Sequence, residues 1–385
     1  MKTIPFLLYN YTKNSIFVHI IFSIILFNVI KLMKKSNEER SGFMYVWENK
    51  IDDVTFITLN NQAGMEVVLS TNGASIYDLK VIDKNNNLES VVLYPTNLED
   101  FYTSTGYQGK CIGRFSGRID KGVCEIAGKK YQLDINWNGI SALHGGFNGI
   151  AFQNFLYQIV EDSEKVEVIF TYLEKEEILP GDVNYQITYQ VFKNKNEINL
   201  LFDAETNKET IVNLTNHVYF NLSGDGKRTV MNQKMQLLCD KYTKLNQELI
   251  TEKIEEVNEV MDFRRLHEIG DYINDDSLQN HTAKGYDHCW LKTDPEKAEV
   301  AVMQDDLSGR RLKVSSSYPA VVCYAGCYPL SFPFNKDGIK ISKHHSMCLE
   351  CQYVPNGINM DNVCKAILKP GEKYHHYIKY QFDLI

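Results

Sequence analysis

The chain has no excess of positive charge: 41 lysines and arginines stand against 49 aspartates and glutamates, for a formal net charge of −8. A protein that binds nucleic acid needs a basic stripe to displace the counterions of the phosphates. The sequence contains no such stripe. It also contains no glycine-rich phosphate loop of the Walker or dinucleotide type. These absences exclude nucleic acid as an expected partner.

An even, dense set of cysteines, typical of small secreted scaffolds, is also missing. The nine cysteines are an odd number scattered from Cys111 to Cys364, which favours free thiols in a reducing compartment. One group has separations that resemble a zinc site, namely Cys323, Cys327, Cys348 and Cys351. Both pairs lie in strand-like runs rather than in turns, so we expect buried structural thiols and keep zinc as the minor alternative.

Helical periodicity is scarce, and a period of two dominates from about Val54 onward. The sequence predicts one short helix, Asn97 to Tyr102, with Asn97 as its N-cap. β-Branched and aromatic residues fill the alternating runs, which are 165–172, 185–192, 197–202, 311–314, 320–324 and 374–384. Many strands without a βαβ rhythm predict an all-β fold, a large antiparallel β-sandwich or barrel with very few short helices.

The amino terminus carries the long apolar run, Ile16 to Met33, with lysines on both sides. It lacks the short core and the small-residue cleavage site of a signal peptide. Its length suits a single membrane anchor, although His19, Asn28 and Lys31 weaken that assignment. The third alternative is that translation starts at Met33 or Met44. We therefore predict an N-terminal segment of residues 1–45 and one domain of residues 46–385, with membrane contact only if residues 16–33 are a real anchor.

Three glycosylation acceptor motifs bear on localisation, at Asn213, Asn221 and Asn280. Two of them bracket the segment that we take as catalytic, where a glycan would obstruct the site. Together with the odd number of thiols, this favours a cytoplasmic body over the membrane-anchored alternative.

Residues 211–222 are the first segment whose composition indicates chemistry. As a single strand, it would place a row of hydrogen-bonding side chains on one face, namely Asn213, Thr215, His217, Tyr219 and Asn221. Such a row, with a central histidine and no lysine or glutamate, suits the floor of a polar ligand site. A solvated outer face is the ordinary alternative for an alternating strand.

Glu350 is the second such feature, because it stands among Met347, Cys348, Leu349 and Cys351 with no basic residue within four positions. A carboxylate in apolar surroundings is costly unless it is paired or functional. A structural pair with a distant arginine is the alternative. Three shorter motifs are weaker when taken singly: His144-Gly-Gly, the Arg114/Arg118 pair in GRFSGRI, and Gly285-Tyr-Asp-His-Cys-Trp290.

Taken together and in this order, these segments resemble the aldose 1-epimerase (galactose mutarotase) family. The resemblance covers about Thr55 to Phe382. It rests on GRFSGRI at 113–119, LHGG at 143–146, LTNHVYFNLSG at 214–224, DFRR at 262–265, GYDHCW at 285–290, LECQYVPNGIN at 349–359 and LKPGEKY at 368–374. The resemblance implies a β-supersandwich that interconverts the α and β anomers of free hexoses such as D-glucose and D-galactose.

The resemblance also implies roles for single residues. Glu350 matches the family's base and His217 its acid, and no metal or cofactor is expected. Among the sugar-binding residues, His144, Asp287 and Arg118 match the family, and we add Arg114 from the same motif. The expected partner is a small aldose sugar, and the expected oligomeric state is a monomer or a weak homodimer.

Three departures from the family pattern bear on sugar preference: Gly117 and Cys351 replace the usual Asn and Thr, and Asn356 replaces the usual Asp. Two other functions stay open. A sugar-phosphate 1-epimerase of the same fold would need a cationic pocket, for which the motifs offer Arg114 and Arg118, with Arg264 or Arg265 as further candidates. A non-catalytic sugar-binding protein would need no acid–base pair.

Overall fold

β-Strands dominate the computed structural model, which describes residues 44–328 and 341–385 and the backbone of 333–334 and 339–340. The strands before residue 150 are β1 (Tyr45–Ile51), β2 (Val54–Asn60), β3 (Met65–Ser70), β4 (Ser75–Ile82), β5 (Leu88–Ser90), β6 (Cys111–Ile112), β7 (Arg118–Asp120), β8 (Val123–Ile126), β9 (Lys129–Gln132) and β10 (Ser141–Leu143). Those up to residue 260 are β11 (Leu156–Glu161), β12 (Lys165–Glu174), β13 (Val183–Phe192), β14 (Glu197–Thr206), β15 (Thr210–Ile211), β16 (Thr215–Asn216), β17 (Tyr219–Phe220), β18 (Lys234–Leu237), β19 (Cys239–Leu245) and β20 (Thr251–Glu256). The remaining strands are β21 (His267–Glu268), β22 (Asp287–Lys292), β23 (Glu299–Asp305), β24 (Arg310–Ser316), β25 (Ala320–Tyr324), β26 (Pro333–Phe334), β27 (Ile339–Lys340), β28 (Met347–Gln352), β29 (Ile367–Leu368) and β30 (Tyr374–Leu384).

Within the described residues, α-helix is confined to two short segments, α1 (Leu98–Thr103) and α2 (Asp276–Gln279). The predicted helix and its cap are confirmed, since the Asn97 side chain accepts a hydrogen bond from the backbone N–H of Glu99 at 2.9 Å. Single 3₁₀ turns connect strands at Ile150–Phe152, Val230–Asn232, Glu259–Met261 and Gly357–Asn359.

The larger sheets are antiparallel and have five, six and nine strands. The five-stranded sheet runs in chain order from β1 to β5. The nine-stranded sheet has the order β11-β12-β13-β14-β30-β24-β23-β18-β21, and the six-stranded sheet has the order β17-β28-β25-β22-β19-β20. Two-stranded pairs join β7 with β10, β8 with β9, β6 with β16, β15 with β29, and β26 with β27.

The inward faces of these sheets supply the core. On β13, Val183, Tyr185, Ile187, Tyr189 and Val191 alternate with more polar residues, and all five are completely buried. The same apolar cluster includes side chains from the five-stranded and six-stranded sheets, such as those of Leu59 and Trp290. The period of two in the sequence therefore reflects sheets that each bury one face, and the predicted all-β antiparallel fold is confirmed.

The six strands predicted from periodicity are all present, and two have the predicted bounds, β25 and β30. On β30 the predicted apolar face is buried at Tyr374, Ile378, Tyr380 and Phe382, whereas Leu384 at the strand end is exposed. Alternation in the sequence located these strands because each of them lies in a sheet with one buried face.

The prediction of one continuous strand over residues 211–222 is wrong. The segment is divided into β15, β16 and β17, which pair with β29, β6 and β28 in three separate sheets. Because the three pairings belong to three separate sheets, the segment does not form one strand with two faces. Asn213 instead bonds to the backbone of Tyr353, and Asn221 bonds to the backbone carbonyl oxygens of Arg228 and His345.

Met44–Ile385 forms one compact unit. The predicted anchor, residues 16–33, lies outside the described residues, and the division of the chain at residue 45 stays a prediction. In the part of the chain that the structure describes, no helix is long and apolar enough to cross a membrane.

Candidate active site

Two strands of the six-stranded sheet, β28 and β22, supply the centre of the site and flank β25 on either side. On β28, alternation turns Glu350 and Gln352 to one face, and Glu350 stands opposite Val322 of β25. On β22, Asp287 and Cys289 face the same way, with Asp287 opposite Tyr324. These side chains line a cavity of about 220 Å³. Strands in hydrogen-bonded register therefore fix the relative positions of the two carboxyl groups.

Loops and the first residue of β7 form the other wall of the cavity. The lining residues that they add include Tyr107, Gly117, Arg118, Trp137, His144, His217 and Tyr328. A concave site with aromatic walls and a few converging polar groups is the form that small-molecule sites usually take.

Glu350 lies at the buried end of the cavity, with 2% of its surface exposed. Its Oε1 is 3.4 Å from His217 Nε2, and its Oε2 accepts a hydrogen bond from Gln352 Nε2 at 3.3 Å. Burial, together with the nearby Asp287 carboxylate, raises the pKa of Glu350 to about 8. Since its contacts are a histidine and an amide, the alternative of a structural arginine pair does not apply.

His217 is held by backbone hydrogen bonds and by contacts of its ring. Its backbone N–H donates to Lys110 O at 2.9 Å, and its carbonyl accepts from Gly109 N–H at 2.8 Å. Its ring stacks on Tyr219 at 5.1 Å between centroids, and its Nδ1 is 3.7 Å from Cys348 Sγ. Burial lowers the pKa of His217 to about 4, so the imidazole of the free protein is neutral near pH 7.

His144 enters the cavity from the tight turn that ends β10. Its Nδ1 accepts a hydrogen bond from Gly117 N–H at 3.2 Å, which places the ring proton on Nε2. The following residue must be glycine, because Gly145 has φ +84° and a Cβ there would lie 2.0 Å from Gly113 O. Burial and the positive charge of Arg118 keep the pKa of His144 well below its ordinary value. The histidine is therefore a neutral hydrogen-bond donor.

Arg118 and Asp287 form a charged fork at the side of the cavity, with Arg118 Nη2 at 3.0 Å from Asp287 Oδ2. The guanidinium also lies over the Trp137 ring, 4.7 Å from its centroid. This arrangement fixes a donor and an acceptor beside each other, which suits the hydroxyl groups of a sugar.

Arg114 does not line this cavity, so the structure gives its assignment to sugar binding no support and that assignment stays a prediction. Its guanidinium is buried against Glu174 at 3.1 Å and donates to the carbonyl of Pro180 and the hydroxyl of Thr210. These contacts join Arg114 to the end of β12, to the loop at Pro180 and to the start of β15. The sequence could not separate Arg114 from Arg118, since their partners lie 60 and 169 residues away.

The three departures from the family pattern have different positions. Gly117 lines the cavity, and a Cβ at its φ of +73° would lie 2.6 Å from Pro355 Cβ. Cys351 is completely buried on the opposite face of β28 from Glu350. Asn356 accepts a hydrogen bond from Asp120 N–H at 3.1 Å. Only the change at Gly117 therefore alters the wall of the cavity.

Among the described residues, one group of potential metal ligands occurs, consisting of His144, His217 and Glu350, whose donor atoms lie within 4.8 Å of one another. Because His144 Nδ1 accepts the hydrogen bond from Gly117 N–H, the neutral ring carries its proton on Nε2. In this tautomer Nε2 offers no lone pair to a metal. The four cysteines of the zinc alternative form no such group. Eight of the nine cysteines are buried free thiols, and Cys364 is the exposed one.

Several lining residues were not identified from the sequence, chiefly Tyr107, Trp137, Tyr328 and Gln352. Gln352 could have been found, because it stands two residues from Glu350 in the alternating strand β28. Tyr107, Trp137 and Tyr328 lie in loops, where the sequence carries no periodic signal.

Comparison with known proteins agrees with this site. The aldose 1-epimerase family model matches residues 55–381. Galactose mutarotase of Mus musculus is 32% identical over 315 residues, which cover 81% of this chain and 89% of the mouse protein. Aldose 1-epimerase of Escherichia coli (strain K12) is 29% identical over 336 residues, which cover 85% of this chain and 94% of the bacterial protein.

Solved structures show the same architecture. Galactose 1-epimerase from Lactobacillus acidophilus NCFM has a TM-score of 0.77 at 25% identity, covering 89% of this chain and 99% of its own. The GalM/aldose epimerase homologue from C. elegans has a TM-score of 0.76 at 24% identity, covering 89% and 100%. The chain therefore has a galactose mutarotase-like β-sandwich fold, is an enzyme of the epimerase class and belongs to the aldose 1-epimerase family.

Proposed function

We propose that this enzyme interconverts the α and β anomers of free hexoses such as D-glucose and D-galactose, with Glu350 as base and His217 as acid. One observation carries the proposal: Glu350 Oε1 and His217 Nε2 stand 3.4 Å apart at the buried end of a sugar-sized cavity. Anomerisation requires a base for the C1 hydroxyl proton and an acid for the ring oxygen, and a carboxylate with an imidazole supplies both.

The pair is suited to this reaction because it carries one proton over a wide pH range. With a pKa of about 8 for Glu350 and about 4 for His217, the free enzyme near pH 7 holds a protonated carboxyl and a neutral imidazole. Transfer of that proton to His217 across the 3.4 Å gap gives the working form, an ionised Glu350 and a charged His217. The net charge of the cavity does not change, so no ion has to enter or leave.

Ring opening then returns the pair to its neutral form. Glu350 removes the C1 hydroxyl proton, the C1–O5 electron pair moves to O5 as the bond breaks, and His217 donates its proton to O5. The products are the open-chain aldehyde, a protonated Glu350 and a neutral His217. Rotation about C1–C2 presents the other face of the aldehyde, and the same proton transfers in reverse close the ring as the other anomer.

The remaining polar groups hold the rest of the sugar during this rotation. His144 offers its Nε2 proton, because Gly117 occupies Nδ1. Arg118 and Asp287 offer a paired donor and acceptor to the hydroxyl groups at the far side of the cavity. Fixing the pyranose at several points while C1 stays free to turn converts a random encounter into an oriented one.

A phosphorylated sugar is not favoured by the lining residues that the structure describes. Their one arginine, Arg118, already faces Asp287, and Arg114 faces Glu174. Arg264 pairs with Asp262 at the surface. A phosphate would therefore meet no uncommitted cation among these groups.

Polarimetry on freshly dissolved α-D-galactose and α-D-glucose tests the proposal, with the full-length chain compared with its Glu350→Gln variant. We expect acceleration over the buffer rate for the native chain and loss of at least 100-fold for the variant, in line with the usual contribution of general acid–base groups. Glu252→Gln, an exposed position on β20, is the matched control and should keep full activity.

Three outcomes contradict the proposal. Retention of most of the rate by Glu350→Gln would remove Glu350 from the mechanism. Much faster equilibration of glucose 6-phosphate than of glucose would identify a sugar-phosphate epimerase. Saturable sugar binding by the native chain without any acceleration would identify a binding protein.

A further inference from the structure

Three buried polar atoms in the cavity wall have no hydrogen-bond partner among the described residues: Arg118 Nε, Tyr328 OH and Gln352 Oε1. Folded proteins satisfy nearly all of their buried polar groups, because an unsatisfied group has lost its water without compensation. All three atoms belong to side chains that line one cavity. A ligand with several hydroxyl groups accounts for them together.

Gln352 is the strongest of the three, because its two ends have different environments. It is completely buried at the end of β28 and lies on the same face as Glu350. Its Nε2 donates to Glu350 Oε2 at 3.3 Å, while its carbonyl Oε1 is unpaired. A glutamine retained only to support Glu350 would have its oxygen satisfied by the protein.

The position of Gln352 also indicates which part of the sugar it meets. Glu350 Oε1 faces His217, and Glu350 Oε2 faces Gln352, so Gln352 lies on the side of the carboxylate away from His217. In the proposed reaction, Glu350 acts at the C1 hydroxyl and His217 at O5. The group on C1 that lies away from O5 is C2 with its hydroxyl.

We propose that Gln352 both binds substrate and positions the base: Oε1 accepts a hydrogen bond from the C2 hydroxyl of the aldose, and Nε2 orients the Glu350 carboxylate. The inference rests on the proposed function, and it adds a residue and a specificity that follow from the unpaired oxygen. It predicts that the enzyme prefers 2-hydroxy aldoses to their 2-deoxy analogues.

The substrate contact is tested by comparing the native chain and one variant on two sugars, one with and one without the C2 hydroxyl. The kcat and KM of the full-length chain and of Gln352→Met are measured by polarimetry with D-galactose and 2-deoxy-D-galactose. We expect the native chain to lose about 3- to 10-fold in kcat/KM with the deoxy sugar, the worth of one hydrogen bond. Gln352→Met should lose at least this factor with galactose, since it also loses the contact to Glu350, and should show no further loss with the deoxy sugar.

The pH profile tests the positioning role, which a merely structural residue would not affect. Hydrogen bonding from Nε2 favours the ionised form of Glu350, so its removal should move the alkaline limb of kcat/KM to higher pH. A second variant, Gln352→Glu, keeps an acceptor oxygen and loses the donor amide. It should retain discrimination against the deoxy sugar while changing the pH profile.

Gln190→Met is the matched control, because Gln190 on β13 also donates to a glutamate, Glu167 at 2.7 Å, but lies outside the cavity. This variant should leave the ratio of kcat/KM for galactose to kcat/KM for 2-deoxygalactose unchanged. If Gln352→Met loses activity on the deoxy sugar by the same factor as the native chain does, the substrate contact is overturned. If the alkaline limb of its kcat/KM profile does not shift, the positioning role is overturned. Absence of any acceleration by the native chain would instead be a failure of the proposed function, and the native arm detects it separately.

Discussion

Replacement of Glu350 by glutamine should stabilise the protein while it abolishes activity. The buried carboxyl has its pKa raised from the ordinary 4.5 to about 8. Between these values the folded chain holds a proton that the unfolded chain has released, so stability falls as the pH rises through this window. Below about pH 4.5 the penalty is absent, and above about pH 8 it is fully present. Glutamine carries no such penalty at any pH.

The size of the effect follows from the shift. At about 1.4 kcal/mol per pKa unit, a shift from 4.5 to about 8 corresponds to about 5 kcal/mol at most. The new amide brings two N–H donors that the site does not fully satisfy, which offsets about 1–3 kcal/mol. We therefore expect a net gain of about 2–4 kcal/mol in the free energy of unfolding above pH 8. His217, whose lowered pKa acts in the opposite direction below pH 6.5, is present in both proteins and largely cancels in the difference.

Guanidinium unfolding at pH 4.5, 7 and 8.5, followed by tryptophan fluorescence, to which the buried Trp290 contributes, measures this difference. The gain of Glu350→Gln over the native chain should grow steadily with pH. Glu252→Gln, exposed on β20, should show no pH-dependent difference. A difference that is the same at all three pH values, or a variant that is less stable at pH 8.5, would refute the argument that burial of the carboxyl raises its pKa.

Three further predictions concern the pH range of the enzyme, the His144 turn and a buried lysine. The value of kcat/KM should decline above about pH 8, where Glu350 loses the one proton that the pair shares. It should also decline below about pH 4, where His217 binds a proton and the pair then holds two. A polarimetric profile that is flat from pH 5 to 10 would contradict this. Gly145→Ala should lose about 2–4 kcal/mol of stability and most activity, because its Cβ would lie 2.0 Å from Gly113 O. Thermal unfolding and polarimetry measure the two losses. Gly371→Ala, also at positive φ but with open space around it, should lose clearly less stability. Lys110 is completely buried, donates to Tyr102 O at 3.1 Å and has its pKa lowered to about 7 by burial, so its penalty is present below pH 7 and fades as the pH rises toward 10.5. Lys110→Met should therefore be more stable than the native chain by about 2–4 kcal/mol at pH 6. A difference in the free energy of unfolding between variant and native chain that is the same at pH 6 and at pH 10 would disprove this.

Part of this site could be predicted from the sequence because its chemistry lies on regular structure. Alternation along β28 places Glu350 and Gln352 on one face, and the apolar neighbours of Glu350 indicate its burial. The helix at Asn97 was predictable for the same kind of reason, since its capping residue is adjacent to the segment that it caps. Local patterns report local geometry.

The rest depended on contacts between distant residues. Arg118 and Arg114 have similar surroundings in the sequence, and only Asp287 and Glu174, far along the chain, decide which of them enters the cavity. The segment from β15 to β17 looked like one strand because its alternation is good, but its three pairing partners lie in three separate sheets. No local pattern specifies such partners.

The distribution of thiols makes the chain its own reporter of unfolding. Of nine cysteines, Cys364 alone is exposed, and the other eight are buried in the folded protein. A brief pulse of an alkylating reagent should therefore add one label to a native molecule and nine to an unfolded one, and mass spectrometry can count the two populations directly. Opening of a single region would appear as an intermediate number of labels, and the labelled cysteines would identify the strands that had separated.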